Sequence, residues 1–265
     1  MMEGKTLRRH FALVTGASSG IGYAFARELG KRGYNLLIVS NEEAIHDKAA
    51  ELKQTYPNIE VESLVLDLGR QDSARQLYTY TQEQGMEIEV LVNNAGVYHD
   101  RDILDDSEGF TSLILNLHVY TPAMLCWLYG QEMRERKKGY MLNVCSVTSK
   151  IAVQRLGTYS STKAFLNNFT RSLHIELKPF GVHVTNVSPG AVDTGLYSIR
   201  PWMTQAGKCL GMVVSPETLA RRGLNAMFRG TYKVTVPAVF WHILTALIQF
   251  IPTGLLRCVR RWGWF

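Results

Sequence analysis

The stretch HFALVTGASSGIGYAFARELG, residues 10–30, joins a short apolar run to an amphipathic stripe through a glycine-rich turn. Residues 10–15 read as a buried strand. Ile21, Ala24, Phe25 and Leu29 recur at helical spacing and predict a helix over 21–33. Between them lies TGASSGIG, residues 15–22, with Gly16, Gly20 and Gly22 in a GxxxGxG spacing. Gly16 permits the tight turn. The later glycines let backbone N–H groups and the helix N-terminus approach a pyrophosphate, with Ser18, Ser19 and Ile21 in the same turn. A loose glycine pattern alone is weak. Its place on the first strand–helix turn makes it a phosphate-binding candidate rather than an ordinary loop.

The same rhythm continues outward. Buried strands are expected at 34–40, 61–67, 88–94, 140–146 and 182–188, and KVTVP (233–237) as a seventh. Helices are expected at 42–55, 71–84, roughly 107–136, from before Tyr159 to about 178, and at 215–228, where Ser215 and Pro216 form a cap and first-turn pair. Strands apolar on both faces, alternating with helices, predict an α/β fold. Its doubly wound parallel sheet would carry helices on both faces in a single domain.

The totals agree. A chain of 265 residues suits one such sheet, and a net charge of +6 permits attraction to anions. No basic stripe interleaved with aromatics appears, which argues against nucleic acid. Cys126, Cys145, Cys209 and Cys258 are far apart and read as reduced thiols, not as a disulfide frame or metal site, so no metal is expected. A signal peptide would remove the first strand, so a cytoplasmic protein is expected.

Chemistry is suggested by TYSSTKAF, residues 158–165. Tyr159 and Lys163 are four apart, on one helix face. An ammonium beside a phenol lowers its pKa from the usual ~10 and favours proton exchange nearer neutrality. TGASSGIG, NNAG (93–96), Asn116, Ser146, YSSTK (159–163) and SPGAVDT (188–194) stand in one order, with Ser146 thirteen residues before Tyr159. As a set over about residues 8–195, this resembles the classical short-chain dehydrogenase/reductase family.

The resemblance implies a Rossmann-like sheet with NADP or NAD across its carboxyl edge. Tyr159 would be the general acid in ketone reduction and the base in alcohol oxidation. Lys163 would bind the nicotinamide ribose and stabilise tyrosinate, Ser146 would hold the substrate oxygen, and Asn116 would organise a water in a proton relay. Asp67 and Leu68 would border the adenine. Asn94, Ala95 and Gly96 would line the cofactor, and Pro189, Gly190, Val192 and Thr194 would run along the nicotinamide. His118 reads as a packed or solvent histidine, and Cys145 as a small buried hydrophobe. At the end of the second strand, an acid binds a ribose 2′-OH and an arginine a 2′-phosphate. Ser40 and Asn41 are neither, so the choice is open, leaning to NADP on the small polar pocket and the net charge. Glu42 and Glu43 are expected to start the next helix.

Residues 193–230 are expected to form a substrate lid region. Leu196, Tyr197, Ile199, Trp202, Met203, Leu210 and Met212 suit an apolar substrate such as a steroid or a long-chain 3-oxo lipid, or else pack on their own domain. Within the extension 237–265, an uncharged run at 238–251 precedes Arg257, Arg260 and Arg261 among Trp262, Trp264 and Phe265. Fourteen apolar residues are too few for a bilayer, where about 20 are needed. The composition fits a peripheral membrane contact, a subunit contact or a cover over the substrate mouth. Phe165, Phe169, Leu173 and Leu177 form a stripe. Part of it covers the sheet, and the family commonly pairs subunits there, so a homodimer or homotetramer is expected. A non-catalytic nucleotide-sensing protein is the alternative reading.

Overall fold

Along the first strand, side chains alternate between the two faces of a sheet, and both faces are buried: Ala12 and Val14 join one apolar cluster, Phe11 and Leu13 another. The computed structural model describes residues 9–98, 100–152, 154–193 and 213–237. Its strands are β1 (Arg9–Thr15), β2 (Asn35–Ser40), β3 (Val61–Val65), β4 (Met86–Asn93), β5 (Gly139–Val144), β6 (Val182–Pro189), β7 (Ala191–Val192), β8 (Val213–Val214) and β9 (Lys233–Val236). Seven of them form one sheet in the order β3-β2-β1-β4-β5-β6-β9, with every pairing parallel. This is a single Rossmann-like domain. β7 and β8 form a separate parallel pair.

The helices are α1 (Gly20–Lys31), α2 (Ile45–Thr55), α3 (Ser73–Glu83), α4 (Glu108–Leu115), α5 (Thr121–Glu135), α6 (Gly157–Leu177) and α7 (Pro216–Phe228). One face of the sheet packs on Ala24, Phe25 and Leu29 of α1, Leu52 of α2, and Leu219 and Leu224 of α7. The other packs on Leu77 of α3, Leu125, Tyr129 and Met133 of α5, and Leu177 of α6. Strand order reverses beside β1, between β2 and β4. In such sheets a crevice opens there, at the carboxyl ends of the strands.

Two local expectations change. Glu42 and Glu43 do not begin α2: Ile45 N bonds Glu42 O and His46 N bonds Glu43 O, so the acids lie in a turn before the helix. The helix expected over 107–136 is three pieces, because a π-helical turn, Asn116–Tyr120, separates α4 from α5. Pro122 follows at once and has no N–H for an α-helical bond, while Thr121 N reaches Asn116 O, five residues back. Ser215 caps α7 as expected, its hydroxyl accepting from Thr218 N at 3.2 Å. Thr194, the apolar side chains at 196–212, Cys209, Cys258 and the segment 238–265 lie outside the described residues. Among the described residues no helix is long and apolar enough to cross a membrane.

Candidate active site

At the carboxyl edge, Gly16 turns the chain out of β1 with φ +65°. A Cβ there would lie 2.7 Å from Ala95 Cα, and one at Gly22 only 2.0 Å from Gly16 O. Side chains are therefore excluded at Gly16 and Gly22, where the backbone is closely approached. It is braced from β4. Asn94 Nδ2 donates to Thr15 O at 2.9 Å and to Gly16 O at 3.0 Å, while the amides of Asn94 and Ala95 donate to Thr15 Oγ1. Ser107 and Ser215 cap their helices with a side-chain hydrogen bond, but Ser19 at the start of α1 does not, and no acid occupies its first turn. Uncapped amides at a positive helix end, beside a turn kept tight by Gly16 and Gly22, fit an anionic pyrophosphate.

The turn forms one end of a cleft of about 770 Å³. That lies within the usual range for a small-molecule site. Gly16, Ser18, Ser19, Gly20, Ile21 and Gly22 line it, as do Ser40 and Asn41, Asp67 and Leu68, Asn94 to Gly96, and Pro189 and Gly190. Ser146, Tyr159 and Lys163 line the same cleft. Leu117 and His118 line it, whereas Val192 and Asn116, the first residue of the π-helical turn, do not. Glu42, Tyr98 and Thr148 are additional wall residues. Only their positions beside Ser40, NNAG and Ser146 hinted at that.

Ser146 is 6% exposed, two residues beyond the end of β5. Its oxygen accepts from Thr148 Oγ1 at 2.9 Å and Thr148 N at 3.2 Å. With its lone pairs occupied, the Ser146 proton is left to donate. The Tyr159 ring makes edge-type contacts with the rings of Tyr98 and His118, at centroid distances of 5.6 and 5.7 Å. Lys163 is buried, its Nζ 5.7 Å from the centre of that ring and 3.0 Å from Val144 O. Burial pushes its pKa down to about 8, against a small upward pull from Cys145. Cys145 is itself pushed up to about 12 by burial. It is therefore a thiol and not a nucleophile at neutral pH.

A model of the family "short chain dehydrogenase" matches residues 10–202. "Very-long-chain 3-oxoacyl-CoA reductase-A" of Danio rerio is 33% identical over 197 residues, covering 72% of this chain and 60% of that protein. The chain thus spans about three fifths of the length of the curated reductases it matches. "Inactive hydroxysteroid dehydrogenase-like protein 1" of Homo sapiens is 28% identical over 264 residues, covering 96% of this chain and 74% of that protein. Among solved structures, a short-chain dehydrogenase from Sphingobium yanoikuyae in complex with NADPH superposes with a TM-score of 0.77 at 25% identity, covering 94% of this chain and 95% of the other. With the glycine turn, the parallel sheet and the Ser146–Tyr159–Lys163 cleft in place, the chain belongs to the short-chain dehydrogenase family.

Proposed function

We propose that the protein is a nicotinamide-dependent oxidoreductase that interconverts a ketone and a secondary alcohol on an apolar substrate, with a long-chain 3-oxoacyl thioester as the leading candidate. The carrying observation is that Ser146, from the turn after β5, and Tyr159 and Lys163, from α6, meet in the cleft that begins at the glycine turn. The cofactor supplies a hydride to the carbonyl carbon when bound. Ser146 and Tyr159 donate hydrogen bonds to the carbonyl oxygen as negative charge develops there, and Tyr159 then gives its proton to make the alcohol. The Lys163 ammonium has three donors, of which one goes to Val144 O. The others serve a ribose hydroxyl, and its charge stabilises the tyrosinate that remains. The substrate class rests on the reductases the chain resembles and on apolar wall residues that include Tyr98, Val147 and Leu156.

Absorbance of the reduced nicotinamide, followed with 3-oxoacyl thioesters of increasing chain length and with hydroxysteroid ketones, tests this reading. Turnover rising with acyl length is expected. Cofactor binding without turnover of any ketone would favour the alternative, a nucleotide-sensing protein, which the resemblance to a relative named inactive supports.

Both cofactors are expected to bind, with less than about tenfold discrimination. The floor formed by Ser40 and Asn41 is small and polar, and Ser40 Oγ donates to Ser18 Oγ at 3.1 Å. The Glu42 carboxylate on the same wall opposes a 2′-phosphate, while the net charge of +6 favours it. Glu42→Gln should raise the preference for NADP by about three- to tenfold, and Ser40→Asp should turn it toward NAD, since removing or adding one nearby charge is worth about 1 kcal/mol at a solvated surface. Titrating both cofactors against each protein checks the two signs.

Trp127 of α5 and Phe165 of α6 are 54% and 41% exposed, and Ile175 is 63% exposed. We assign these apolar faces to symmetric pairing with a second copy. Light scattering at micromolar concentration should give at least a dimer, and Phe165→Lys should lower the mass toward the monomer.

A further inference from the structure

We infer that His118 is a positioning residue, a neutral imidazole strut that ties the loop after β4 to the Tyr159 helix and holds the Tyr159 ring in the cleft. The inference rests on the oxidoreductase reading only for its kinetic readout; its geometry is independent. His118 lies on the π-helical turn between α4 and α5 and is 1% exposed. Three contacts converge on its ring. The Val97 amide donates to Nε2 at 2.9 Å. Nδ1 lies 3.1 Å from Thr162 Oγ1, and that hydroxyl donates to Tyr159 O at 2.7 Å. The ring also meets the Tyr159 ring edge-on, at 77° between planes.

These contacts fix the tautomer. A backbone amide can only donate, so Nε2 must carry its lone pair. The Thr162 proton is directed to Tyr159 O, so its oxygen accepts and Nδ1 holds the imidazole proton. A second proton on Nε2 would break the Val97 bond. Burial, and secondarily the Lys163 charge, hold the pKa of His118 well below its ordinary value, in keeping with that arrangement. The loop is shaped to the ring as well: a Cβ at Gly96 would come within 2.8 Å of Nε2. His118 thus fixes the loop Gly96–Tyr98, whose Tyr98 ring also contacts Tyr159 edge-on. Asn116, two residues earlier, does not line the cleft. His118, on the same π turn, does.

The test joins spectroscopy to kinetics on the full chain. In ¹⁵N-labelled protein, the signal lost in His118→Gln should report protonated Nδ1 and bare Nε2, unchanged across roughly pH 5 to 8. Hydrogen exchange at the Val97 amide should speed up about tenfold or more in His118→Phe, which keeps a ring but offers no acceptor. It should return toward the wild-type rate in His118→Gln, whose amide oxygen can accept that proton. His118→Phe should lower kcat roughly 10²-fold, as expected when a reacting group is displaced, with cofactor Kd little changed, and His118→Gln should recover most of the loss. A His118 signal that titrates in that pH range, or Val97 exchange unaltered in His118→Phe, overturns the strut. If His118→Phe does not fold, the wild-type tautomer and the His118→Gln exchange rate still decide. Absence of turnover in the wild type would defeat the functional reading alone, since tautomer and exchange need no substrate.

Discussion

Tyr159→Phe should lower kcat by at least ~10²-fold, the usual range for a general acid–base group, while cofactor Kd stays within about threefold. The substitution deletes one hydroxyl and keeps the ring. That ring is in contact with the rings of Tyr98 and His118, so phenylalanine keeps the same contacts and the cleft keeps its shape. The loss then measures the proton and the oxyanion hydrogen bond, not a collapse of the site. Ser146 remains to donate to the substrate oxygen, which is why some turnover should survive. Steady-state kinetics with the best ketone, beside fluorescence titration of the reduced cofactor, separates the two effects. Near-wild-type kcat would remove Tyr159 from the chemistry, whereas a matching rise in cofactor Kd would show that the ring had moved.

Lys163→Met should do two opposite things: reduce turnover by ~10²-fold or more and make the protein harder to melt. Burial lowers the folded-state pKa from 10.5 to about 8. A base whose pKa is depressed by folding binds its proton more tightly in the unfolded chain. Below about pH 8 the folded protein therefore carries the full penalty of a buried ammonium, and stability rises with pH between about 8 and 10.5 as the unfolded state alone stays protonated. At about 1.4 kcal/mol per pH unit, the penalty at neutrality is about 3 kcal/mol. Methionine has similar length and no charge, but it abandons the bond to Val144 O, which costs about 1 kcal/mol. The net gain of about 2 kcal/mol corresponds to roughly 4–8 °C in Tm for a chain of this size. The rise in wild-type stability above pH 8 should also vanish in the variant. Calorimetry from pH 7 to pH 10 reads both signs, and a lower Tm for Lys163→Met at pH 7 would contradict the burial argument.

Composition and local pattern were enough for a large part of this molecule. Short continuous apolar runs, stripes of period 3.6 and the glycine turn between them are properties of neighbouring residues, so β1–turn–α1 and the alternation that follows could be read directly, as could KVTVP as a strand. The four-residue step from Tyr159 to Lys163 is likewise local, because one helix places both. The strand order was not local, and neither was the reason Asn94 matters: its amide holds the glycine turn closed from 78 residues away. The break in the long helix was not foreseen either: a π turn separates α4 from α5 and carries His118, which lines the cleft. Glu42 reached the same wall because α2 starts three residues later than the charge pattern suggested. A sequence specifies which face a side chain takes within its own element. Which groups then meet across elements, and how far burial moves their protons, is set by packing among residues that are distant along the chain.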